Sequence, residues 1–172
     1  RGLRDVDGTG VLAGISNISR IDAFKTEDGK KVPCDGQLWY RGYNVIDLIH
    51  GFEGKRFGFE EVAYLLLFGE LPDAAKLGAF KSMLEECRQL PTNFTRDVIM
   101  KAPSKDIMNS LTRSVLTLAS YDETIADQEL HTQLEQCIKL ISVFPMLAVY
   151  GYHAYNHYIC DDSLYIHRPQ EG

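Results

Sequence analysis

Two histidines four residues apart, His153 and His157, fall on the last helical pattern of this 172-residue chain. That spacing lets two imidazoles face one metal ion. No Glu follows the first His as in H-E-x-x-H, and no acidic third ligand stands nearby on that face. Tyr150, Tyr152, Tyr155 and Tyr158 surround the pair instead, so it reads as the polar, aromatic end of a packing helix. His157 and Cys160 would pair a thiol with its base, because positions three apart are neighbours on a helix. Nothing close by in sequence orients that base or builds an oxyanion hole, and Cys160 reads as a buried structural cysteine. Arg41, set between Tyr40 and Tyr43, has the planar donor fork that binds carboxylates. The favoured reading is structural, with Arg41 pinning a strand-to-helix corner through carbonyls or a nearby acid.

The remaining chemistry-bearing types are weaker. Gly8-Thr9-Gly10 and the pair Gly51 and Gly54 lack the strand–loop–helix setting of a phosphate cradle and read as turns. Asp22, Asp35, Asp47, Glu60 and Glu61 show no spacing that singles out a carboxylate pair. The residues assign no catalytic, cofactor-binding or metal-binding position, and no cofactor is expected.

Composition bounds the rest. Hydrophobic residues at 45% and charged residues at 24% are ordinary for a globular domain and argue against disorder. A formal charge of −6 disfavours nucleic-acid and anionic-membrane partners, which call for a basic face. Cys34, Cys87, Cys137 and Cys160 lie far apart without a C-x-x-C pair, which points to reduced thiols and a cytoplasmic setting. The best apolar run, residues 138–150, is shorter than the ~20 residues a bilayer span needs. No signal peptide is visible, no Met begins the chain, and both ends read as interrupted.

The elements follow from pattern. Residues 11–24 read as strand, turn and strand, residues 25–31 as a charged loop with an Asp28-Gly29 turn, and residues 37–40 as a returning strand. From residue 44 the period changes from two to about 3.6. Asn44 caps a short helix that Gly51 ends. Residues 59–68 form a helix apolar on nearly all sides, with Glu60 and Glu61 in its first turn and a Gly69/Pro72 stop. Such a helix needs neighbours all round. Asp73 caps a helix to about residue 89 with a Leu77, Phe80, Leu84, Cys87 stripe. Thr95 caps a short helix over 96–100, and Ser104 is the N-cap candidate for a helix reaching about 120. Residues 121–127 form a polar loop, and residues 128–158 a long helix kinked at Pro145. The predicted organisation is a β segment over 1–43 and a helical part over 44–172.

The string Gln37-Leu38-Trp39-Tyr40-Arg41-Gly42-Tyr43-Asn44-Val45-Ile46-Asp47-Leu48 is followed by Phe59-Glu60-Glu61-Val62-Ala63-Tyr64-Leu65-Leu66-Leu67-Phe68-Gly69-Glu70-Leu71-Pro72. Together they closely resemble the citrate synthase patterns L-x-Y-R-G-Y-x-I-x-D-L and F-E-E-V-A-Y-L-L-L-x-G-E-L-P, and Ile18-Ser19-Arg20-Ile21-Asp22 fits the family's N-terminal strands. The resemblance covers essentially the whole chain but only the N-terminal portion of the family's length. It implies a mainly α, multi-helical large domain with a small N-terminal β hairpin or sheet, and a homodimer. It also implies an acyltransferase of the tricarboxylic acid cycle that condenses acetyl-CoA with oxaloacetate to citrate and CoA. 2-Methylcitrate synthase, using propionyl-CoA, shares the scaffold, and a non-catalytic dimerisation or interaction module is the reading from another class.

In the family an Asp and two His act on the substrates, and arginines hold the oxaloacetate carboxylates. None of His50, His131, His153, His157 or His167 matches those motifs, so these residues alone are expected to be inactive. His167-Arg168-Pro169 fits the loop leading toward the catalytic region. Where the family often has H-P-M, this chain has Asp106-Ile107-Met108, so the nucleotide regulation that this His serves in some members is not expected. The helix of residues 106–120, with small Ser110, Ser114 and Ala119, and the Pro-kinked helix are the expected dimer faces. The isolated chain is expected to be loosely packed or self-associating, through apolar surface on the helix of residues 59–68.

Overall fold

A computed structural model describes residues 4–8, 10, 16–54 and 58–167. The expected strand and turn over residues 11–15, the middle of Gly8-Thr9-Gly10, and Arg168-Pro169 lie outside the described residues. The described fold is mainly helical with a three-stranded antiparallel sheet, and it divides into two compact units, Arg1–Phe80 and Lys81–Gly172.

The first unit opens with a hairpin of β1 (Ser19–Glu27) and β2 (Lys30–Tyr40). Asp28 and Gly29, at φ +50° and +75°, form the tight turn, and Glu27 pairs with Lys30. When both turn residues take positive φ, two residues suffice to reverse a strand. The charged loop expected over 25–31 therefore shrinks to two residues, and its flanks join the strands. The pairing Ser19↔Tyr40 to Asp22↔Gln37 matches the expected return, and an irregularity separates it from Phe24↔Pro33. A second tight turn, Arg41 and Gly42 at φ +49° and +91°, sends the chain into β3 (Tyr43–Asn44).

Helix α1 (Val45–Gly51) starts where expected, with Asn44 accepting a hydrogen bond from the Ile46 N–H at 2.9 Å. Gly51 does not stand beyond the helix end. It is the last helical residue, and Phe52 caps the helix in ordinary right-handed geometry (φ −97°), its N–H reaching the Ile49 carbonyl at 3.0 Å. With that bond made, no left-handed residue is required until Gly54 (φ +75°). Helix α2 (Gly58–Phe68) begins at a glycine with a purpose: a Cβ there would stand 3.0 Å from the Phe52 ring. Gly69, at φ +85°, ends it and donates to the Leu65 carbonyl at 2.8 Å.

Within these residues α2 has neighbours on only part of its surface, and it exposes the apolar area expected of the isolated chain: Leu65 is fully buried, while Phe59 and Phe68 are 65% and 41% exposed. The contacts that α2 does make are aromatic, with Tyr64 4.5 Å from Phe68 and 5.5 Å from the buried Phe80 of α3 (Ala74–Glu86). Asp73 caps α3 as expected, accepting from the Lys76 N–H at 2.8 Å. The helix stops at Glu86, three positions before the expected end.

In the second unit a buried cluster of Phe94, Ile99, Leu111, Val143, Met146, Leu147, Tyr150 and Ala154 joins three elements. The first is a single π-helical turn, Thr95–Met100. Thr95 is not its cap: the N-cap position is Phe94, without a side-chain bond, because that ring is buried in the core. Next is α4 (Ile107–Ala119), capped by Asp106, whose carboxylate accepts from the Asn109 N–H at 3.2 Å. Ser104, the expected cap, instead accepts from the Asp106 N–H at 3.1 Å and sets up the turn before the helix.

The last element is α5 (Leu130–Cys160), which runs through Pro145. Pro145 has no N–H, so the Ile141 carbonyl lacks its usual helical donor. By length and composition alone α5 could cross a membrane, which the shorter apolar run did not suggest. Part of its apolar character is buried inside the unit, where Val143, Leu147 and Ala154 are each 1% exposed, and part of it stays on the surface. Helix α4 approaches α5 closely, since a Cβ on the buried Gly151 would lie 3.7 Å from that of Ser110. Ser110 and Ser114 are both buried, so these small residues serve packing within the chain and not the expected subunit contact.

The polar loop between α4 and α5 is pinned at several points. Asp122 accepts from the Thr124 N–H and hydroxyl at 2.9 and 2.7 Å, and Asp127 from the Glu129 N–H and the Thr132 hydroxyl at 3.0 and 2.7 Å. These bonds hold both carboxyls below the usual carboxylate range, because donors favour the charged form.

Candidate functional site

The residues singled out for chemistry are distributed into structural roles. Arg41 is the clearest. Its Nε and Nη2 donate to the Leu66 carbonyl at 3.2 and 2.8 Å, and Nη1 donates to the Asn17 Oδ1 at 3.0 Å. Leu66 lies in the last turn of α2, where carbonyls have no partner within the helix and the dipole is negative, so a guanidinium fits on both counts. The Arg41 N–H donates to the Ile18 carbonyl at 2.8 Å. One side chain therefore ties the β2–β3 turn to the end of α2, as the structural reading of the corner expected. Gly69 lies next to the guanidinium, where a Cβ would make only ordinary contact at 4.0 Å, so it is the positive φ that calls for glycine there. With its fork occupied by main-chain and amide oxygens, Arg41 is not poised for an anion.

His153 and His157 each have partners of another kind. Among the described residues no group of three His, Cys, Asp or Glu side chains is placed to hold an ion. His157 Nδ1 lies 2.8 Å from the Asp162 carbonyl. A carbonyl only accepts, so Nδ1 carries the proton and the ring closes the C-terminal end of α5. Asp161 sits there in left-handed geometry (φ +56°). His153 meets Tyr152 and Tyr165 edge-on at 5.9 and 6.4 Å, and Tyr165 stacks on His167 at 6.3 Å. This is the aromatic helix end that the spacing suggested.

Cys160 corrects an expectation: it is exposed, not buried, because the helix ends at that residue. The Tyr155 phenol lies above its ordinary range, with the Cys160 thiol as the largest cause. With His157 turned to a carbonyl, no thiol–imidazole pair forms. Among the carboxylates, Asp22 pairs with Arg20 at 3.0 Å, while Asp47, Glu60 and Glu61 lie in first turns of α1 and α2.

One concavity in the second unit went unnoticed in the sequence. An open cleft of about 850 Å³ is lined by Glu85, residues 88–96, Met146, Tyr150 and Ile166. Tyr150 is buried, and its hydroxyl donates to the His167 carbonyl at 3.0 Å, tying residues 161–167 back along α5. In sequence the stretch 88–96 reads only as a helix end with a proline, and its lining residues are not neighbours in the chain, so no local signal marks it.

Comparison with known proteins places these features in context. The family model for citrate synthase, C-terminal domain, matches residues 4–171. A 2-methylcitrate synthase from Shewanella oneidensis is 34% identical over 115 residues, 67% of this chain and 28% of that protein. A citrate synthase from Saccharolobus solfataricus is 29% identical over 144 residues, 83% of this chain and 35% of that protein. Among solved structures, citrate synthase from Thermoplasma acidophilum, in ternary complex with carboxymethyl coenzyme A and oxaloacetate, aligns with 99% of this chain and 38% of its own. The TM-score is 0.73 at 22% identity, which shows a shared fold. The chain thus spans about a third of the length of the relatives it matches.

Proposed function

The chain belongs to the citrate synthase family, and from that premise we propose that the parent protein condenses acetyl-CoA with oxaloacetate and water to citrate and CoA. The match across residues 4–171 carries this reading. The ligands named for the Thermoplasma acidophilum structure belong to the same chemistry. In this reading the 172 residues are scaffold: the Arg41 clamp seats α2, and the cluster around Leu147 pairs α4 with α5. The acid–base groups belong to the rest of the parent, so residues 1–172 alone release no CoA.

A second acyl donor has its own support, since the Shewanella oneidensis relative is a 2-methylcitrate synthase. Assaying CoA release by the full-length parent with oxaloacetate and either acetyl-CoA or propionyl-CoA decides between them. The proposal expects the higher kcat/KM with acetyl-CoA. A reversed preference transfers the assignment to 2-methylcitrate synthesis, and no release with either donor leaves an interaction module.

The parent is also proposed to be a homodimer through the outer faces of α4 and α5. Leu116, Phe144, Val149 and Tyr152 are each about half or more exposed there (66%, 45%, 51% and 52%) and offer apolar area for a second copy. Light scattering on the full-length protein should give twice the chain mass.

A further inference from the structure

We propose that the cleft of the second unit is a binding site for a small monocarboxylate with an apolar body, a role that goes beyond the condensation reaction proposed above. The cleft volume of about 850 Å³ lies in the range of small-molecule sites. Its lining fits such a ligand, with Leu90, Pro91 and Ile166 offering partly exposed apolar surface over the buried Phe94, Met146 and Tyr150, and polar side chains beside them.

Two arginines line the cleft, and they differ in what they have left to offer. Arg96 is committed: Nε and Nη2 grip the two Asp97 carboxylate oxygens at 2.7 and 2.8 Å. Arg88 is half-buried, and among the described residues its guanidinium makes no hydrogen bond or ion pair. A partly desolvated guanidinium with an open fork selects a planar, bidentate oxyanion. The rim hydroxyls of Thr92 and Thr95 are likewise without a partner among the described residues and add neutral donors.

The charge of the ligand follows from Glu85, which also lines the cleft. A carboxylate in the same cleft opposes a ligand carrying two or more negative charges, while Arg88 balances one. A phosphate monoester is therefore disfavoured and a monocarboxylate favoured. Backbone bonds hold the rim, from the Phe94 N–H to the Pro91 carbonyl at 3.0 Å and from the Asp97 N–H to the Asn93 carbonyl at 2.9 Å, with Asn93 in left-handed geometry (φ +63°) and the π-helical turn starting at Thr95. Single π turns recur at functional sites, and here the turn places Thr95 and Arg96 on the rim.

The test titrates full-length protein with sodium benzoate, a planar monocarboxylate with an apolar body, and separately with inorganic phosphate. Amide NMR shifts and calorimetry provide the readouts. Saturable benzoate binding in the low-millimolar range is expected, with shifts concentrated in residues 88–96. Arg88→Gln should weaken benzoate at least tenfold while leaving the melting temperature unchanged, and Arg88→Lys should recover part of the loss. Phosphate should bind at least tenfold more weakly than benzoate. Three results overturn the proposal: no saturable binding, an Arg88→Gln variant that binds as the parent does, or phosphate binding as tightly as benzoate.

Discussion

The β1–β2 hairpin and the α4–α5 pair both carry large apolar residues, yet they are held by opposite means. In the hairpin Ile21 and Phe24 are 74% and 60% exposed, and the register comes from the Asp28-Gly29 turn, the ladder, and Arg20 lying 5.0 Å over the Trp39 ring beside Asp22. In the helix pair Val143 and Leu147 are each 1% exposed, and hydroxyls such as Ser114 and Ser142 turn inward to carbonyls four residues back, at 2.8 Å. The first is specified by local backbone chemistry and the second by burial. Substitutions should therefore hurt the two regions very unequally.

The largest effect is expected at Leu147. Leu147→Ala removes a side chain from a closed cluster and should cost about 2–5 kcal/mol in urea denaturation, through lost transfer energy and the cavity left behind. Ile21→Thr, an equally drastic change of polarity on the hairpin, should stay within about 0.5 kcal/mol, as surface substitutions usually do. Equal losses at the two sites would erase the distinction.

Arg41 comes next, because it joins the local and the buried regimes within the first unit. Arg41→Ala leaves the Leu66 carbonyl without its partner and should cost about 1–3 kcal/mol. Arg41→Lys should recover only part, since an ammonium cannot reproduce the fork. Full recovery with Lys would mean that charge alone mattered.

A smaller effect tests the α4–α5 approach. Gly151→Ala places a Cβ in ordinary contact with Ser110 and exchanges a poor helix former for a good one, so stability should hold or rise by up to about 1 kcal/mol. Gly151→Leu should cost about 1–3 kcal/mol by overpacking. A tolerated Leu would show that the helices are not closely packed there.

The smallest effect concerns pH. The folded pKa values of Asp122 and Asp127 lie below the unfolded value, so their contribution is fully present above the ordinary carboxylate pKa. It fades as pH falls through the depressed folded values. Melting curves from pH 6 to pH 2.5 should therefore show a shallower acid loss for Asp127→Asn than for the parent chain. Parallel curves would remove Asp127 from the acid response.

Much of the local structure was legible in the sequence because it depends on groups a few residues apart. Asn44 and Asp73 cap helices through side chains that reach N–H groups two and three positions on, and Asp28-Gly29 turns because both residues accept positive φ. Arg41 at its corner was legible in role, though not in partner. The misreadings have a common origin. Ser104 and Asp106 are both competent caps, and choosing between them depends on the bond from the Asp106 N–H to Ser104. Thr95 looked like a cap, but the buried Phe94 ring set the start of that turn. The burial of Cys160 was misjudged because composition does not say where a helix ends.

By itself the sequence determined the class of fold, the Asp28-Gly29 turn, the Asn44 and Asp73 caps and the family, since these rest on short-range sterics and on residue order. Tertiary structure decided what each apolar face meets and which polar groups are already taken. Arg41 is committed to Leu66 and Asn17 and His157 to Asp162, while Arg88, at the rim of a cleft, has no hydrogen bond or ion pair among the described residues. The partner of a side chain 5 to 25 positions away is set by where the backbone brings it, and only the folded chain contains that information.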